Sequence, residues 1–174
     1  MKIIADFVPN QVSQFHPFFI DTQKNKDSKY KDWFYFKKWP DDYLCFLSIK
    51  DLPKLNLRNK EAKKHILDAA EYWLSLGLDG YRLDHVIGPS NRFWKEFTNK
   101  LKNQYPQCLL IGEAWMMGIS WKELKTIQIP FKRLKWIQKN ASDQVLSNYV
   151  SILDGVLDFT AQHLFQRYLC QKTP

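Results

Sequence analysis

The chain has 174 residues, of which 45% are hydrophobic and 16% aromatic. That apolar content excludes a disordered chain, and the length matches one domain, or part of one, at about 150 residues per domain. The formal net charge is +8, but the positive charge is mostly lysine, dispersed among Asp and Glu, which argues for solvated faces and against a nucleic-acid surface.

Lys2 to Val8 is a short apolar run broken by Pro9-Asn10, the pattern of a strand buried on both faces. The run meets Asp6 too early for a signal peptide, and no later stretch approaches the roughly 18 apolar residues of a membrane span. Residues 11–59 are irregular, aromatic and polar, with His16-Pro17-Phe18-Phe19, Trp33-Phe34-Tyr35-Phe36 and Trp39-Pro40-Asp41-Asp42. A loop this long inside a domain is usually functional. Most aromatics are expected in the core.

Asn59 is placed to cap a helix whose apolar positions are Ala62, Ile66, Ala69, Ala70, Trp73 and Leu74, with Gly77 as its stop. Gly80-Tyr81-Arg82-Leu83-Asp84 follows as a strand. Pro89-Ser90 opens a second helix with Phe93, Trp94, Phe97 and Leu101 on one face, ended by Pro106. Cys108-Leu109-Leu110-Ile111 is a buried strand closed by Gly112-Glu113. Ser120 to Tyr149 reads as short helices and loops, Gly155 to Phe159 as a further strand, and Ala161 to Tyr168 as a helix. Cys45, Cys108 and Cys170 lack metal or redox spacing, so reduced thiols and a cytoplasmic setting are expected. Strands alternating with helices predict an α/β fold with right-handed crossovers and a parallel sheet.

Three strands carry an acid at or near the C-terminal end: Asp6, Asp84 and Glu113. In parallel α/β folds that end of the sheet is the active face. Asp84 and Glu113 are one βα unit apart, so consecutive strands would set the two carboxylates side by side, the equipment of a glycosidase. Arg82 lies two residues before Asp84, on the same side of the strand, and its guanidinium would favour ionised Asp84 as nucleophile. Glu113, among Ile111, Ala114 and Trp115 and beside a negative Asp84, suits the proton-holding role. Acids at strand ends also serve as caps and loop anchors, so spacing alone does not reach chemistry.

The wording of the segments adds to their spacing. Asp6-Phe7-Val8-Pro9-Asn10 resembles the first conserved region of the alpha-amylase family of glycoside hydrolases. Asp51-Leu52-Pro53-Lys54-Leu55-Asn56 resembles that family's extra motif in the long loop after the third barrel strand. Gly80-Tyr81-Arg82-Leu83-Asp84 and Ile111-Gly112-Glu113-Ala114-Trp115 are similar to its second and third regions. The motifs occur in the family's order over nearly the whole chain.

The resemblance implies a (β/α)₈ TIM barrel, here partial, with residues 1–174 as part of one catalytic barrel and residues 11–59 as the long loop. It implies retaining chemistry on the α-glucosidic bonds of α-glucans or maltooligosaccharides, with Asp84 as nucleophile and Glu113 as acid/base. Arg82, Gln11, Tyr81, Trp115 and His85 are expected at the substrate, and Asp6 in a supporting role. No cofactor is required, and calcium is optional, with Asn10 at a position that binds it in some members.

Departures accompany the likeness. Gln11 stands where the family usually has a sugar-contacting histidine, and Gly88 where many members carry His or Glu. The family's fourth region, a His-Asp pair whose Asp stabilises the transition state, has no counterpart: none of His16, His65, His85 and His163 is followed by Asp. The mapping assigns the chain strands three to six of eight, truncated at both ends. A complete barrel takes about 250 residues, so another chain supplying the missing strands is an expected partner, and little turnover is expected from this chain alone.

Overall fold

The computed structural model describes residues 1–115 and 146–170. Strand β1 (Ile4–Phe7) leads into a segment holding helix α1 (Pro17–Lys24) and a small antiparallel pair, β2 (Phe36–Lys38) and β3 (Asp42–Tyr43). Helix α2 (Lys60–Ser75), strand β4 (Gly80–Leu83), helix α3 (Asn91–Gln104) and strand β5 (Leu109–Glu113) follow. Strand β6 (Gly155–Leu157) and helix α4 (Phe159–Cys170) close the described chain. The region expected to be mixed after Ser120 lies outside the described residues except for its last four.

The sheet order is β1-β4-β5-β6, and every pairing is parallel. Four parallel strands, the first three joined by helical crossovers, form the expected segment of barrel wall. The helix boundaries follow local chemistry. Asn59 accepts from the Glu61 and Ala62 amides, Ser90 from the Phe93 amide, and each thereby satisfies orphan donors at a helix start. Beyond α2 the chain turns at Gly77, where φ is 100°, a conformation that favours glycine.

The two faces of the sheet differ in cover. Tyr81, Leu83 and Leu110 face α2 and α3 and are buried with Ala70, Leu74, Trp94, Phe97 and Leu101. On the other face, the register sets Ile4 beside Gly80 and Gly80 beside Leu109, then Asp6 beside Arg82 and Arg82 beside Ile111. That face is open: Ile4, Leu109 and Leu157 are exposed. The expectation that the first strand is buried on both faces is therefore corrected. Its alternate residues Ile4 and Val8 are exposed to solvent. Close approach also matters at Gly80, where a Cβ would stand 2.0 Å from the Leu109 carbonyl oxygen.

Residues 11–59 carry more order than their irregular pattern predicts. Phe19 is buried against Phe34 and Tyr43, with ring centroids 4.9 and 4.8 Å away, and Phe18 stacks on Tyr30 at 4.0 Å. These edge-on and stacked contacts tie α1 to β3 and hold the segment as a packed unit. Bridges from Gln11 to Lys54 and from Phe34 to Leu55 return its end to its beginning. The expectation that most aromatics are core holds for Phe19, Trp33, Phe34 and Tyr43.

Candidate active site

The C-terminal ends of β1, β4 and β5 bring the three expected acids around one guanidinium. Arg82 Nη1 donates to Asp6 Oδ1 at 2.7 Å and to Asp84 Oδ1 at 3.1 Å, and Nη2 donates to Glu113 Oε1. The parallel register explains the meeting: Asp6 pairs with Arg82, and one step on, Asp84 lies level with Glu113. The turn after β4 closes on the third acid. The His85 amide donates to Glu113 Oε2 at 3.2 Å and the Val86 amide to the Glu113 carbonyl at 2.9 Å. Gln11 Nε2 donates to the other oxygen of Asp84, Oδ2, at 3.1 Å.

Asp84 and Glu113 are largely shielded, with side chains 19% and 12% exposed, whereas Asp6 is 59% exposed. Burial raises the Asp84 carboxyl above its usual range. Gln11 and Arg82 work against that rise, and the neighbouring charge of Glu113 adds to it. Arg82 favours the ionised form of Asp84, as expected, but burial is the larger influence. The guanidinium is divided among three carboxylates, and burial outweighs its share at Asp84. For Arg82 itself, burial opposes the charge, but the carboxylates Asp6, Glu113 and Asp84 outweigh it and push the guanidinium up.

Two expected substrate contacts lie elsewhere. Tyr81 is 1% exposed, and its hydroxyl donates to the Ala70 carbonyl of α2 at 2.6 Å. Successive strand residues face opposite ways, so Tyr81 enters the helix layer while Arg82 and Asp84 enter the site. His85 is wholly buried, edge-on to Phe46 and Trp115 at 4.9 and 5.1 Å, and neither ring nitrogen has a hydrogen-bond partner among the described residues. Burial pulls it down to about 4, so the ring is neutral near pH 7. Its contribution to the site is its backbone amide on Glu113. Trp115 keeps partial exposure beside His85.

The Asn10 amide is held within the protein. Its Nδ2 donates to Gln11 Oε1 at 2.7 Å, and its Oδ1 is packed against Gly88. No group of three or more His, Cys, Asp or Glu side chains that could hold a metal ion occurs among the described residues. Asn10 also lines a cavity of about 80 Å³ with Lys54, Arg58 and Gly88. Lys54 is 5% exposed, and burial pulls its ammonium down to about 7. The sequence reading missed Lys54 and Phe46 near the site. The one signal for Lys54 was a cation set between Pro53 and Leu55.

Comparison with known proteins agrees with this geometry. A model of the alpha amylase catalytic domain matches residues 1–152. Alpha-amylase 2 of Dictyoglomus thermophilum is 44% identical over 160 residues, covering 91% of this chain and 24% of that protein. A cyclomaltodextrinase of Bacillus sp is 35% identical, covering 71% of this chain and 24% of that protein. Among solved structures, a cyclic alpha-maltosyl-(1→6)-maltose hydrolase from Arthrobacter globiformis superposes with a TM-score of 0.74 at 26% identity, over 97% of this chain and 34% of that one. The chain thus spans about a quarter of the length of the curated relatives it matches. By sequence match and by the wall of parallel strands, the chain belongs to the alpha-amylase catalytic-domain family, as a partial (β/α)₈ barrel.

Proposed function

We propose that this chain carries the carboxylate pair of a retaining glycoside hydrolase acting on α-glucosidic bonds of maltooligosaccharides. The observation that carries the reading is the single guanidinium of Arg82 touching both Asp84 and Glu113 from adjacent parallel strands. That contact supports a close-set pair, as retaining enzymes use, rather than the wider pair that admits a water in inverting ones. The names of the relatives, an alpha-amylase and a cyclomaltodextrinase, support the substrate class.

In the first step an Asp84 oxygen bonds to the anomeric carbon as the glycosidic C–O bond breaks, and the Glu113 carboxyl gives its proton to the leaving oxygen. In the second, Glu113 takes a proton from water, the water oxygen attacks the anomeric carbon, and the bond to Asp84 breaks. Asp84 takes the nucleophile role from its place in the second conserved region. Raised Asp84 basicity is compatible with attack on an oxocarbenium-like centre. Asp6 serves as a third anchor that holds Arg82 in place.

The cytoplasmic reading is supported by two buried free thiols, Cys45 and Cys108, and by a relative named intracellular maltogenic amylase. No helix among the described residues is long and apolar enough to cross a membrane.

The chain alone is expected to turn over maltooligosaccharides slowly or not at all, because a third, transition-state-stabilising carboxylate has no counterpart in the sequence. Reducing-sugar release from maltopentaose checks this, with Glu113→Gln as control. Robust release by the unaltered chain that vanishes in Glu113→Gln would overturn the inactivity and keep the assignment of Glu113.

A further inference from the structure

Gln11 occupies the place of a family histidine, and Gly88 occupies another position where a side chain is common. The two departures meet in space through Asn10. A carboxylate oxygen can only accept, so the amide nitrogen of Gln11, not its oxygen, must face Asp84 Oδ2, as found at 3.1 Å. Gln11 is 7% exposed, and its Oε1 is satisfied by Asn10 Nδ2 at 2.7 Å. This orientation in turn directs Asn10 Oδ1 at Gly88, where a Cβ would stand 2.6 Å from Oδ1 and 2.9 Å from Cγ. A residue with any side chain at 88 would push the Asn10 amide from this place.

The backbone holds the same line. The Leu55 amide donates to the Asn10 carbonyl at 3.0 Å, Gln11 bridges to Lys54, and the Gly88 amide donates to the His85 carbonyl at 2.9 Å. Asp84 thus has one oxygen on Arg82 and the other on Gln11, which fixes the rotation of its carboxylate.

We propose that Gly88, Asn10 and Gln11 form a positioning relay that orients the Asp84 carboxylate, so that Gln11 acts on the nucleophile rather than on the sugar. The relay rests on the reading of Asp84 as nucleophile given above. Its three members act through one another and none is a catalytic residue. The amides carry no charge at any working pH, so the hold on Asp84 is constant where a histidine would titrate. The charged groups facing Asp84 are Arg82 on its own strand and Glu113 on β5, with neutral His85 next in the chain.

The test is a carboxyl ¹³C NMR titration of Asp84 in the full chain, assigned with Asp84→Asn. Donation by Gln11 favours the charged carboxylate, so Gln11→Met, which keeps the volume and removes the donor, moves the Asp84 midpoint upward. Gly88→Ala, which does not touch Asp84, moves it upward as well, and adds nothing in the Gln11→Met background. If Gly88→Ala gives no folded amide spectrum, Asn10→Ala replaces it with the same expectation. A midpoint unmoved in Gln11→Met overturns the relay. So does a Gly88→Ala or Asn10→Ala shift that persists in full without Gln11. The titration needs no turnover, so it reads the relay separately from the glycosidase assignment, which is read by hydrolysis.

Discussion

At the scale of single residues, Arg82 and His85 define the site in opposite ways. Arg82 gathers three carboxylates that lie far apart in sequence. His85 contributes an amide to Glu113 while its ring is sealed between Phe46 and Trp115. Burial holds the ring at about 4 against an ordinary 6.5, with Lys54 reinforcing the drop and Asp84 opposing it. The sign follows from linkage. Above pH 6.5 the ring is neutral in both states and costs nothing. As pH falls towards 4, the unfolded chain takes a proton that the folded chain refuses, and stability falls by about 3 kcal/mol. The raised Asp84 carboxyl works the other way in acid, so the comparison must be with a variant. His85→Phe, which keeps an aromatic ring between its neighbours, is expected to flatten the loss between pH 6.5 and 4.5 in urea melts. An unchanged acid dependence would remove His85 from this role.

At the scale of elements, short-range chemistry sets the boundaries and long-range chemistry sets the faces. Asn59 was legible as a cap, and Pro89-Ser90 as a helix start, because a cap needs only a side-chain acceptor two or three residues before a helix amide. Asn59→Ala is expected to cost about 1 kcal/mol in urea unfolding, with the fold otherwise unchanged; a loss within error would show that α2 is held by packing alone. The paired carboxylates were legible too, since a parallel register follows from one βα unit between Asp84 and Glu113. What was not legible depended on partners far away in sequence. Tyr81 was read towards the cleft because an aromatic beside an active strand fits either side, and only α2 packing on it decides. The cover of β1 was misread because an apolar run looks the same whether or not another layer packs on it. The raised Asp84 carboxyl was not legible because burial, the larger influence on it, depends on packing from beyond its own strand.

At the scale of the whole molecule, the open face of the sheet unites the chemistry with the family. Ile4 and Leu109 line its lower part, and Asp6, Arg82, Asp84 and Glu113 its upper part, with Leu157 level with Glu113. In a closed barrel the same face would point inward, with an apolar floor below a ring of acids. Helix α4 likewise leaves Leu164, Phe165, Tyr168 and Leu169 exposed. Residues 1–152, the part matched by the catalytic-domain model, contain both catalytic candidates and the relay behind Asp84. The most direct measurement is hydrolysis of maltooligosaccharides by a chimera in which residues 1–152 replace the corresponding segment of Alpha-amylase 2 of Dictyoglomus thermophilum. An active chimera is expected, with kcat falling about a thousandfold or more in Asp84→Asn and in Glu113→Gln. An active chimera indifferent to either substitution would contradict it.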